Sequence, residues 1–247
     1  MCGLSISKLY LGWICLTLWC RYLIYVDDMT CKDPGPFSVF EQRFLSGQPQ
    51  LNPVLDALVG VLLRLWDLYD PLCANSITSS VFNYFTATCL EANPQKLSLV
   101  QGTERFSDFL RTHTGVSIAF AAMMFTKSTE VDITEYFQAI PDMDFWIGLT
   151  NDLLSFVSPF FLSRYPHSLT RRRCFKFAYS TRFYKEELAG ETTNYIHTRA
   201  YIENKAPLEV LAEMAKEMRV SKNSIHKALS HSPKALHVWK VFEYGYV

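Results

Sequence analysis

Apolar side chains return every three or four residues along most of this chain, the period of one helix face and not of a pleated strand. Between Leu51 and Leu68, the residues Leu55, Leu58, Val59, Leu62, Leu63 and Trp66 form one such stripe. Asn75 to Glu91 carries Phe82, Tyr84 and Phe85, and Thr103 to Phe125 sets Phe106, Phe109 and Leu110 on one face. Ile133 to Phe156 reads as a further helix with Pro141 as a candidate break. Pro207 to Met218 opens on the proline favoured at a first helical position, and Ser232 to Val247 is another helical stretch. Asp33 to Pro36 is a turn. Strand-like alternation is scarce, so the expected fold is all-α. With 49% hydrophobic and 15% aromatic residues in 247, the chain can bury a large core or enclose an apolar cavity.

The formal net charge is zero, so no nucleic-acid partner is expected. The seven cysteines are odd in number and follow no metal-ligand spacing. That disfavours a disulfide framework or a zinc site and fits a reducing, cytoplasmic setting. Leu9 to Val26 is almost wholly apolar and raises the alternative of a membrane-anchored, non-enzymatic helical protein. Arg21 within the stretch and the Asp27-Asp28 pair after it favour a core helix ending at a polar site, without membrane insertion.

One segment departs from its surroundings. Val157 to Phe183 contains Arg164, Arg171, Arg172, Arg173, Lys176 and Arg182 and no acidic residue, so the neutral total hides an acidic remainder. Bringing the two flanks together is informative. Asn151-Asp152-Leu153-Leu154-Ser155-Phe156 would continue directly into Tyr184-Lys185-Glu186-Glu187. Asn151, Ser155 and Glu186 would then fall at i, i+4 and i+8, on one helix face. They offer an amide oxygen, a hydroxyl and a carboxylate, the hard donors that Mg²⁺ takes, with Lys185 beside them for a phosphate.

The joined string resembles the second metal motif of class I terpene synthases, specifically fungal cyclases of the trichodiene synthase type. Two more stretches carry the resemblance. Tyr25-Val26-Asp27-Asp28-Met29-Thr30-Cys31-Lys32-Asp33 is similar to the aspartate-rich first metal motif, although Cys31 stands at the fifth position of the usual D-D-x-x-D. Asp27 is the preferred ligand, Asp28 the second, and Asp33 a turn residue. Phe109 to Gly115 resembles the diphosphate sensor, in which Arg111 would bind diphosphate, Thr114 would link, and Gly115 would present its carbonyl to the reacting carbon.

The resemblance implies a helical bundle around a central cavity, three Mg²⁺ ions, and a prenyl diphosphate substrate, farnesyl diphosphate by analogy with trichodiene synthase. It implies ionisation of that substrate and cyclisation to a sesquiterpene, with Phe82, Tyr84, Phe85, Phe120 and Trp146 as candidates for either cavity wall or ordinary core. An enzyme of prenyl-chain elongation would instead show two D-D-x-x-D motifs. A homodimer is admitted but not required. The expected organisation is one terpenoid synthase domain over residues 1–247, incomplete at both ends, with Val157 to Phe183 a non-native insertion such as a retained intron. The chain as it stands is therefore expected to be inactive.

Overall fold

The computed structural model describes residues 19–92, 98–164 and 194–246. Helix α1 covers residues 19–30, and no strand occurs among the described residues. The short helices α2 (Gly35–Ser38) and α3 (Phe40–Leu45) lead to α4 (Pro53–Leu63) and α5 (Leu65–Leu68). The stripe from Leu51 to Leu68 is thus two helices, separated at Arg64. Helix α6 (Pro71–Glu91) begins four residues before the expected start. Asp70 accepts the Leu72 N–H at 2.9 Å, and Pro71 occupies a position where a missing N–H costs nothing.

Helices α7 (Glu104–Gly115) and α8 (Ser117–Met123) would be continuous but for Val116, which holds a left-handed conformation at φ 51° and ψ 20°. Three single 3₁₀ turns between Lys127 and Ala139 precede α9 (Ile140–Arg164). Pro141 therefore lies in the first turn of α9 and interrupts nothing. The backbone of α9 runs on through Arg164, so the first residues of the basic segment extend this helix. Its remainder lies outside the described residues. Helices α10 (Tyr195–Glu203), α11 (Pro207–Ala228) and α12 (Pro233–Tyr246) complete the described chain.

Helix α9 is the hub. It packs along α11 and α8 and also touches α7, while α6 lies against α7 and α8, and α10 bridges α7 and α11. A helix with neighbours on several sides must be apolar on several sides. Met143, Trp146 and Ile147 join the main core, which also takes Trp19, Leu23 and Val26 from α1, Leu55 and Leu58 from α4, and Trp239 from α12. Leu149 instead joins a smaller core with Ile196, Ala200, Val210 and Met214. Burying such side chains contributes about 1.5–3 kcal/mol each.

The aromatic residues proposed for a cavity wall make ring contacts typical of a packed core. Phe85 stacks on Phe40 at 4.0 Å, Phe82 meets Phe44 edge-on at 5.2 Å, and Trp146 meets Trp239 at 5.2 Å. Tyr84 and Phe120 are buried as well. Among the described residues, no helix is long and apolar enough to cross a membrane. Most of the apolar stretch from Leu9 lies outside them, but its last part, in α1, is packed into the protein core.

Candidate active site

Successive residues on a helix point about 100° apart, and α1 uses this to separate its two aspartates. Asp27 is buried and Asp28 is exposed. Two hydroxyls fix the helix: Tyr84 donates to the Leu23 carbonyl at 2.8 Å, and Tyr25 accepts from Asn52 Nδ2 at 2.6 Å. The helix ends in a turn in which the N–H groups of Lys32 and Asp33 both reach the Met29 carbonyl at 3.0 Å. Asp33 accepts the Gly35 N–H at 3.1 Å, which fits its expected role in the turn.

The second polar centre forms between α7 and α9. Asp144, Gly148 and Asp152 recur at one-turn intervals on α9, so they share a face. Arg111 on α7 reaches that face. Its Nε donates to Asp152 Oδ2 at 2.7 Å, and its Nη2 donates to Asp152 Oδ1 at 2.9 Å and to the Gly148 carbonyl at 3.3 Å. This is the two-pronged geometry that makes arginine–carboxylate pairs strong. Thr112 Oγ1 donates to Asp144 Oδ2 at 3.1 Å, so neighbouring residues of α7 grip the same face. Burial pushes the Asp144 carboxyl up to about 6, against the Thr112 hydrogen bond and the Arg111 charge, which both pull it down. Asp108, Ser117, Phe145, Leu149 and Tyr195 complete the lining of a small cleft around Arg111.

Gly115 is part of the same seat. A Cβ built there would stand 2.4 Å from Arg111 Nη1 and 2.9 Å from Ser117 Oγ. Only a residue without a side chain lets the guanidinium lie where it does. Thr114 is half-buried beside it. Immediately after, the left-handed Val116 takes the chain out of the α7 helix, so Gly115 is the last residue of that run.

Asn151 is half-buried and neighbours Asp152, one step around α9. Ser155 lies on the same helix, one turn further along, and its side chain is outside the described set. Lys185 and Glu186 are also outside it. Among the described residues, no group of three or more His, Cys, Asp or Glu side chains could hold a metal ion. The described part of the expected donor set, the Asp27 carboxylate and the Asn151 amide, is hard oxygen throughout and fits Mg²⁺ by chemistry.

The trichodiene synthase (TRI5) family matches residues 12–212, a span that includes both polar centres and the basic segment. This chain belongs to that family of terpene synthases. Terpene synthase BipA of Cochliobolus sativus is 32% identical over 230 residues, covering 91% of this chain and 62% of the relative. Monoterpene synthase 25 of Postia placenta is 28% identical and covers 94% of this chain and 62% of its own length. Alpha-cuprenene synthase COP6 of Coprinopsis cinerea is 27% identical, with coverage of 91% and 60%. The chain thus spans about three fifths of the length of these relatives.

Within this member of the family, the structure brings Arg111 and Gly115 into contact. Asn151 stands next to Asp152, the partner of Arg111. Sequence reasoning missed Asp144, Gly148 and Asp152. Their signal was present, since they repeat with the same one-turn period as Asn151 and Ser155, one residue out of step.

Proposed function

We propose that this protein derives from a Mg²⁺-dependent cyclase that ionises farnesyl diphosphate and closes the chain to a sesquiterpene, releasing diphosphate. The observation that carries the reading is the Arg111 seat: a paired, partly buried guanidinium resting on Gly115, at the end of a helix, in a chain of the trichodiene synthase family. Asp27, with Asp28 as the second candidate, and Asn151, Ser155 and Glu186 would hold the metal. Burial favours Asp27 over Asp28. When bound, Mg²⁺ would neutralise the diphosphate and make it a better leaving group.

The chain's own residues have separate tasks. Arg111 and Lys185 would donate N–H groups to diphosphate oxygens as negative charge builds there during cleavage of the allylic C–O bond. The electron pair of that bond leaves with the diphosphate. The Gly115 carbonyl would face the allylic carbon as positive charge develops, with Thr114 linking the two. Buried apolar side chains would keep water from the cation.

Val157 to Phe183 is read as an insertion that separates Glu186 from Asn151 and Ser155, so the chain as it stands should not turn over. The test is deletion of Val157 to Phe183, with both ends completed from a full-length relative. The repaired enzyme, given Mg²⁺ and either farnesyl or geranyl diphosphate, is assayed by gas chromatography. A sesquiterpene from the farnesyl substrate, lost in Asn151→Ala and Glu186→Ala, is expected. A product only from the geranyl substrate would overturn the choice of farnesyl. Activity indifferent to both substitutions would overturn the ligand assignment.

A further inference from the structure

We propose that Asp152 is the positioning residue for Arg111, seating the guanidinium that receives diphosphate; this rests on the reading of Arg111 given above. Asp152 takes the Nε–Nη2 edge of the guanidinium with both carboxylate oxygens, at 2.7 and 2.9 Å. The Gly148 carbonyl, one turn earlier on α9, takes Nη2 as well. Nη1 is thereby turned toward Gly115, where any Cβ would collide with it. Three contacts on three sides fix the plane of the group. The pair is largely withdrawn from water, with 15% and 16% of the two side chains exposed, so it is screened less than a surface pair.

An arginine free to rotate loses side-chain freedom when it clamps a ligand, whereas a seated one has lost it already. Asp152 also adjoins Asn151. The seat of the diphosphate donor and a candidate metal ligand therefore share one helix and move together. Asp144, the other acidic side chain on this face of α9, is bonded to Thr112.

The test titrates inorganic diphosphate into the full chain with Mg²⁺ present, by calorimetry. Asp152→Asn keeps the shape but loses the charge and one of the two acceptors. It should bind diphosphate about ten-fold more weakly, the loss expected for one charge-assisted contact, with little change in melting temperature. Arg111→Gln should lose binding, and adding Asp152→Asn to it should change nothing further, because the proposed role of the carboxylate runs through the guanidinium. If Asp152→Asn failed to fold, Asp152→Glu, which keeps the charge but overreaches the seat, should show the same weakening. Equal or tighter binding by the folded Asp152 variant would overturn the inference, the latter by showing that the carboxylate competes with diphosphate. So would an effect of Asp152→Asn that persists in the Arg111→Gln background. Unchanged binding in Arg111→Gln, or no binding by the unsubstituted chain, would overturn the Arg111 assignment itself and the inference with it.

Discussion

Arg111 and Arg199 are both largely withdrawn from solvent, and they are held in different ways. Arg199 on α10 sits in a saturated net: Glu203 at 2.6 Å, both oxygens of Glu217 at 2.8 Å, Glu213 at 3.5 Å, and the Tyr195 hydroxyl at 3.3 Å. Tyr195 in turn donates to Asp108 at 2.8 Å, tying α10 to α7. The Glu217 hydrogen bonds, above all, push the Arg199 pKa upward. Arg111 pairs with the Asp152 carboxylate and the Gly148 carbonyl, and Gly115 lies beneath it. The acids around the two sites differ accordingly. Burial of Glu203 would raise its pKa, but Lys205 and Arg199 outweigh burial and leave it lowered. Burial wins at Asp144. Arg199, matched by several acids, fastens α10 to α11, whereas Arg111 lies beside a break in the helix and lines the small cleft between α7 and α9.

The sharpest way to break this distinction is to remove each arginine. Arg199→Met leaves Glu203 and Glu217 without their main partner and should cost about 3–5 kcal/mol in urea unfolding. Diphosphate affinity of the folded fraction should stay unchanged. Arg111→Ala should cost less, about 1–3 kcal/mol, and abolish diphosphate binding. A reversed pattern would erase the contrast.

A smaller effect separates the acids. The Asp144 pKa is raised from 3.8 to about 6, so between about pH 4 and pH 6 the folded protein holds more protons than the unfolded chain. Stability from this group is full below about pH 4 and is lost as pH rises through 6. Asp144→Asn removes that dependence. Its unfolding free energy relative to the parent should improve by on the order of 1–3 kcal/mol between pH 4 and pH 7. Parallel pH profiles for the two proteins would show that Asp144 is not the group responsible.

The smallest effect on stability is expected from Gly115→Ala. The new Cβ meets Arg111 Nη1 and Ser117 Oγ, both ends of side chains, so the guanidinium must give up part of its seat while the backbone stays in place. Alanine also favours the helix by about 0.5–1 kcal/mol, so the net change in unfolding should be within about 1 kcal/mol. Arg111 should nevertheless be displaced from its seat, and diphosphate affinity should fall. Unaltered affinity would mean that the glycine is dispensable to the seat.

Much of the fold was legible because the apolar period and the helix-start signals are local. Pro207 opens α11 as expected, and the aspartate-rich stretch does end a core-packed helix. The start of α6 was equally local, in Asp70 and Pro71, but these residues precede the apolar stripe that begins after Asn75. Other features were hidden for physical reasons. A valine in the left-handed region has no sequence signal, because valine disfavours it and only packing can impose it. The Arg111–Asp152 pair joins residues far apart in sequence, and periodicity narrows the choice of partners without naming one. Arg199 was similarly silent, although Glu203, Glu213 and Glu217 stand at helical spacings.

Val116 and Gly115 divide their labour in an unexpected way. Glycine is commonly used where backbone must turn left-handed, yet Gly115 is a helical residue kept small for the sake of a neighbour, and valine makes the turn. Such a conformation costs of order 1–3 kcal/mol, comparable to what burying the valine side chain returns. The break therefore exists only while the core holds Val116. In a peptide of residues 104–123 cut from the protein, nothing would hold Val116 in the left-handed region. During folding, the bend that separates Gly115 from α8 should accordingly be among the late features to appear, after the hydrophobic interior has closed around it.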